Sequence, residues 1–234
     1  MANRLVSTIG LAMPTDFDSA AYESVSVHGA TVLAGDDQRL REFTSGWNAV
    51  AHRFVSFAGH DRSFTDSIRK HGDGPPPAIR HGQEHDLFGC FVTGLSALES
   101  AAHALWFVCS KLDPANFPAS SPKDLRAVTP EKLKDKMTVG FPADSITGAL
   151  VALLSSAEFK DWKKIRNTLA HRSAPSRSMF ASMHGKPPPA LWNLGGAGIV
   201  LDEKTTGSRR VWLAGVVQSI MREMDGFIVR QFSL

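Results

Sequence analysis

The chain has 234 residues, with 26 Lys and Arg against 23 Asp and Glu and a formal net charge of +3. Hydrophobic residues make up 43% and charged residues 21%, which excludes a disordered chain and leaves enough apolar side chain for a full core. Only two cysteines are present, Cys90 and Cys109, too far apart on one expected helix to pair, so a disulfide scaffold is excluded and two reduced, buried thiols are expected.

Residues 1–35 show no sustained period and read as an N-terminal arm. Tyr22 to Leu33 alternates in part, through Val25 and Val27, which is compatible with a strand. Residues 36–234 read as one helical domain. Asp36 and Asp37 offer caps, and Leu40, Phe43, Trp47, Val50, Phe54 and Phe57 follow in steps of three and four, so a helix of about five turns is predicted. Gly72, Gly74 and Pro75 to Pro77 form a linker.

A second helix is predicted from about Gln83 to Leu112. Its stripe of Leu87, Phe91, Leu95, Leu98, Ala102, Leu105 and Cys109 is widened by Phe88, Trp106 and Phe107, which makes it central. Asp113-Pro114 stops it. Thr129-Pro130-Glu131 opens a short helix to about Met137. One long helix is then expected from Asp144-Ser145 to His171, ended by Pro175. Residues 173–207 read as an insertion in which Ala190 to Leu194 and Gly198 to Leu201 pair as a hairpin. Leu213, Val217, Ile220, Met224 and Phe227 mark a last helix from about Ser208 to Phe232.

The expected class is all-α: an up-and-down bundle of four long helices plus a short one, with a small β-hairpin insertion. No Gly-rich phosphate loop follows a strand. No apolar run is read as approaching the roughly 20 residues that cross a bilayer. Arg4 and the broken run Leu5 to Met13 do not make a secretory signal, so a cytoplasmic protein without a membrane association is expected.

Charge is distributed unevenly. Residues 1–117 carry 9 basic and 13 acidic side chains, and residues 118–234 carry 17 and 10. The densest basic stretch holds Lys160, Lys163, Lys164, Arg166, Arg172 and Arg177 against Asp161 alone, a local field suited to a polyanion such as RNA. Within it, Arg166, Asn167 and His171 are polar positions near the end of a helix that also supplies core residues.

The segment Arg166-Asn167-Thr168-Leu169-Ala170-His171 resembles the ribonuclease motif of the HEPN superfamily, the higher eukaryotes and prokaryotes nucleotide-binding domains: an arginine, a polar residue, and a histidine a few positions on. The resemblance covers six residues. It implies a helical bundle and a metal-independent endoribonuclease, of the toxin or defence-effector kind, with no cofactor. In that scheme His171 is the general acid or base at the 2′-hydroxyl or leaving oxygen, Arg166 holds the phosphate, and Asn167 orients one of them. Lys163, Lys164 and Arg172 bind substrate. The partners implied are RNA or a nucleotide, a second copy of the chain, and an antitoxin or regulatory protein. The alternative is a non-catalytic HEPN-like module that binds a nucleotide, RNA or protein. Without the resemblance, the same residues are a helix C-terminus dressed with basic groups to suit its dipole.

Five residues turn a regular helix by 500°, which sets Arg166 and His171 about 140° apart. Their convergence requires a loosened last turn or a two-fold homodimer.

Other polar groups are weaker candidates. Ser96, Glu99 and His103 share one helix face, where Glu99 is a candidate to orient His103, but a structural polar network is the plainer reading and the Glu-x-x-x-His spacing is a poor metal pair. His81, Gln83, Glu84 and His85 read as exposed loop polarity because Gly82 disfavours an earlier helix start. Trp192 and Trp212 are expected to pack the insertion rather than stack on bases.

Overall fold

The computed structural model describes residues 4–6, 9–171, 175–185, 187–193 and 198–234, with the side chains of Arg4, Leu5, Pro122 and His171 outside that description. The chain is an all-α helical bundle with a small β insertion, and 70% of the described residues are helical. It divides into two compact units, Met1–Val55 with Ser96–Phe159 and Ala214–Leu234, and Ser56–Leu95 with Lys160–Leu213.

A short antiparallel pair, β1 (Arg4–Val6) and β2 (Leu11–Met13), precedes helix α1 (Ser19–Leu33). The strand expected over Tyr22 to Leu33 is therefore a helix. Tyr22, Val25, Gly29 and Leu33 are the buried positions, a helical period, whereas Val27 is 60% exposed. Asp18 caps α1 by accepting from the Ala21 N–H at 3.1 Å. Gly29 admits α2: a Cβ there would lie 2.1 Å from the Phe43 ring.

Helix α2 (Asp37–His71) carries the expected stripe, with Phe43, Trp47, Val50, Phe54 and Phe57 all buried. It runs well past the five turns of that stripe. Gly72 stops it in the left-handed region, at φ +71, donating its N–H to the Ile68 carbonyl. Helix α3 (Pro77–Leu112) begins six residues before the expected start. Pro77 is tolerated in a first turn, and Gly82 is accommodated one turn further in. Gln83 is fully buried, its amide donating to the Gly72 carbonyl, so the segment from His81 to His85 is helix rather than loop. Among described helices, α3 alone is long and apolar enough by composition to cross a membrane. Its most apolar stretch is 72% buried within the protein, as a core helix is.

Helices α4 (Pro122–Arg126) and α5 (Pro130–Gly140) start on side-chain caps from Ser121 and Thr129. The single helix expected from 144 to 171 is two, α6 (Ser145–Ser155) and α7 (Ala157–His171). Ser156 breaks it: its backbone is extended, and its hydroxyl accepts from the Phe159 N–H at 3.2 Å, capping α7.

Strands β3 (Ser176–Ser178), β4 (Leu191–Asn193) and β5 (Ile199–Val200) form an antiparallel sheet in that order, and β4–β5 is the expected hairpin. Helix α8 (Gly207–Phe232) follows the sheet. In the first unit, Tyr22 stacks on Trp47 at 5.2 Å between ring centroids. In the second, Phe57, Phe91, Trp162 and Trp192 pack together. Both cysteines are free and buried, and burial pushes each thiol well above its ordinary value.

Candidate functional site

Helix α7 positions most of the basic motif. Trp162 fixes its rotation: the indole is buried, donates its N–H to the Phe91 carbonyl at 2.9 Å, and lies against Phe57 and Phe91. Ile165, also buried, extends the inward face. Arg166 follows Trp162 by one turn and sits at the edge of that face, half-buried with its Nε enclosed. Asn167 and Lys163 are half-buried, and Lys164 is exposed. His171 is the last residue of α7, and its side chain lies outside the described residues, as does the whole of Arg172.

The backbone of α7 remains helical through His171, so a loosened last turn does not supply the convergence of Arg166 and His171. Their positions on the helix stay about 140° apart. His171 follows Lys164 by seven residues, within about 20° of the same angular position. The helix thus sets Lys164, Thr168 and His171 along one side and Arg166 on another.

A cleft of about 340 Å³ opens on the Lys164 side. Asp161, Lys164, Ile165 and Thr168 form one wall; Gly198, Ile199, Val200, Asp202, Lys204, Thr205 and Arg209 form the other. The second wall is held by a tight turn. The Thr205 hydroxyl donates to the Val200 carbonyl at 2.7 Å and accepts from the Asp202 N–H at 2.8 Å, and the Asp202 carboxylate accepts from the Lys204 N–H at 2.8 Å. Arg209 is pinned over the Phe91 ring, 5.0 Å from its centroid, and donates to the Thr205 carbonyl at 2.7 Å and to Asp161 at 3.4 Å. Burial pulls the Arg209 guanidinium below the usual arginine value, and Asp161 opposes that. Both carboxylates of the cleft are therefore engaged. Among the described residues, Lys164 and Lys204 have no acidic partner. Lys204, Thr205 and Arg209 escaped sequence reading because they lie in or just after an aperiodic insertion; a turn of Asp202, Lys204 and Thr205 at the start of a helix was the available signal.

The other candidates resolve differently. His103 faces Glu42 of α2, its Nε2 3.4 Å from the carboxylate, while Ser96 and Glu99 lie 3.5 Å apart on α3. Gly46 makes room for the imidazole, since a Cβ there would stand 3.0 Å from it. Arg53, Glu99, Ser100, His103 and Thr129 line a separate cleft of about 460 Å³. His60, without an evident partner in sequence, pairs with Asp86 at 3.0 Å and lies edge-on to His85. Trp192 is buried against Phe91, and Trp212 contacts Trp162, so both are packing residues as expected. Among the described residues, no group of three or more His, Cys, Asp or Glu is arranged to hold a metal.

Comparisons with protein-family models, with curated proteins and with solved structures found no match to the chain.

Proposed function

We propose that the chain is a HEPN-like, metal-independent endoribonuclease, of the toxin or defence-effector kind, working as a two-fold homodimer. One observation carries the reading: Arg166 and Asn167 occupy the last two turns of α7, which is helical through His171 and borders a lysine-lined cleft on the His171 side. The all-helical fold agrees with the resemblance of the motif.

In this mechanism His171 accepts the proton of a ribose 2′-hydroxyl, imidazole being the side chain best able to take up and return a proton near neutral pH. The 2′ oxygen attacks phosphorus, the bond from phosphorus to the 5′ oxygen breaks, and the imidazolium protonates the departing oxygen. The products are a 2′,3′-cyclic phosphate and a 5′-hydroxyl. Arg166 offsets the charge that grows on the phosphoryl oxygens. The 140° separation on one helix supports a site that combines Arg166 of one copy with His171 of the other. The test is RNA cleavage with chelator present: activity in the wild-type chain and none in Arg166→Ala or His171→Ala is the expected result. Sedimentation as a strict monomer at high concentration counts against the shared site.

The second reading is a non-catalytic module binding RNA or a nucleotide. It is favoured by the lining of the cleft, which includes Lys164, Lys204 and Arg209 but not Arg166. Binding without cleavage across varied RNAs selects it. An antitoxin or regulatory protein is a partner under either reading.

A further inference from the structure

We propose that the cleft between α7 and the β5–α8 connection is a subsite for a backbone phosphate and its nucleoside on a bound RNA strand. This deepens the reading of the chain as an RNA-acting protein and is independent of whether it cleaves. The cleft's volume of about 340 Å³ falls within the range of small-ligand sites, about 300 to 1,000 Å³, and holds one nucleotide unit rather than an extended peptide surface.

Its chemistry is divided as a nucleotide requires. Lys164 of α7 and Lys204 of the β5–α8 connection both line the cleft, with no acidic partner among the described residues. Asp161 pairs with Arg209 at 3.4 Å and Asp202 accepts from the backbone N–H of Lys204, and among the described residues neither carboxylate forms an ion pair with Lys164 or Lys204. Ile199, half-buried, and Val200, 45% exposed, line the cleft with apolar groups for sugar and base. The position also suits a strand. Lys164 and His171 lie seven residues apart at nearly one angular position, about 10 Å along the helix axis, so RNA laid along α7 passes from one to the other.

The experiment measures binding of a fluorescent single-stranded 2′-O-methyl RNA to the full chain as salt is varied. This probe lacks the attacking hydroxyl, so binding is read without cleavage. Lys164→Ala and Lys204→Ala are each expected to weaken affinity about fivefold and to reduce the slope of log K against log salt by about 0.7, the single-strand value for one lost phosphate contact. Lys123→Ala, an exposed lysine that does not line the cleft, changes neither. Equal melting temperatures confirm that the exposed lysines were removed without unfolding. Failure of Lys204→Ala to differ from Lys123→Ala overturns the subsite, even where RNA is cleaved in a His171-dependent way. A reduced slope in a protein that cleaves no RNA upholds the subsite and removes the catalytic reading. No binding of the probe overturns the subsite. A free mononucleotide that depends on both lysines while the strand ignores them reassigns the cleft to a soluble nucleotide and overturns the strand assignment.

Discussion

Trp162 and Phe91 are joined by a hydrogen bond from indole to backbone carbonyl at 2.9 Å, with their rings edge to face at 6.0 Å. The pair sets the rotation of α7 and so decides which of its basic residues turn outward. Gly94 makes the contact achievable: a Cβ there would lie 2.3 Å from the Trp162 ring, a rigid group with little room to yield. Gly94→Ala is expected to destabilise the chain by about 1–3 kcal/mol through overpacking, read as a lower urea midpoint. An unchanged midpoint removes Trp162 as the anchor.

The shared site predicts subunit complementation. Arg166→Ala and His171→Ala chains are each inactive alone. Mixed and allowed to exchange subunits, they should regain about a quarter of wild-type cleavage, because half the dimers are mixed and each carries one complete site. No regain, with exchange verified by mass, excludes a site built from both copies.

Two ion pairs in the second unit should differ in weight. Asp61 is 7% exposed and accepts from Arg210 at 3.1 Å, whereas the Arg69–Glu203 pair is exposed on both sides. Asp61→Ala leaves a largely enclosed guanidinium without that carboxylate and is expected to cost about 3–5 kcal/mol. Glu203→Ala is expected to cost less than about 1 kcal/mol. Chemical denaturation of both variants gives the ranking.

Asp18 gives a pH signature. Its hydrogen bond from the Ala21 N–H, with help from Gln218 and Arg222, holds its carboxyl below the ordinary range. The folded state therefore binds its proton less readily than the unfolded state does. The stabilisation is complete above the usual carboxylate pKa of about 4 and is lost as pH falls through the lower folded value. The stability difference between wild type and Asp18→Asn is expected to be constant above about pH 5 and to shrink below pH 4. A difference unchanged down to acid unfolding refutes a role for the charge.

The cysteines should be inert. Both are buried, and burial disfavours the thiolate of each. Neither is expected to react with a thiol reagent in the native state, and both react in denaturant. Rapid native labelling of either places it in an opening segment.

Much of the fold was legible because the signal was periodic. Leu213 to Phe227, Phe43 to Phe57, and the Thr129-Pro130 start each announce a helix through spacing or capping that tertiary contacts then reinforce. Helix α1 was obscured by two valines whose local preference is extended, and burial of Tyr22 and Leu33 overrode them. The break at Ser156 turns on one hydroxyl choosing a backbone donor, which periodicity does not encode. The polar sites were hardest to read. His103 meets Glu42 across 61 positions, and Lys164 shares a cleft with the Lys204 turn, which follows a sheet whose strands have only two or three residues.

The turn beneath Lys204 also bears on how quickly the cleft is filled. With the Thr205 hydroxyl tied to Val200 and Asp202, and Asp202 tied back to Lys204, the backbone of this wall is set before any occupant arrives. Only the lysine side chains remain to be ordered on contact. Association should therefore follow a single kinetic phase whose rate rises linearly with ligand concentration and falls with salt, without the plateau that a closing loop would impose.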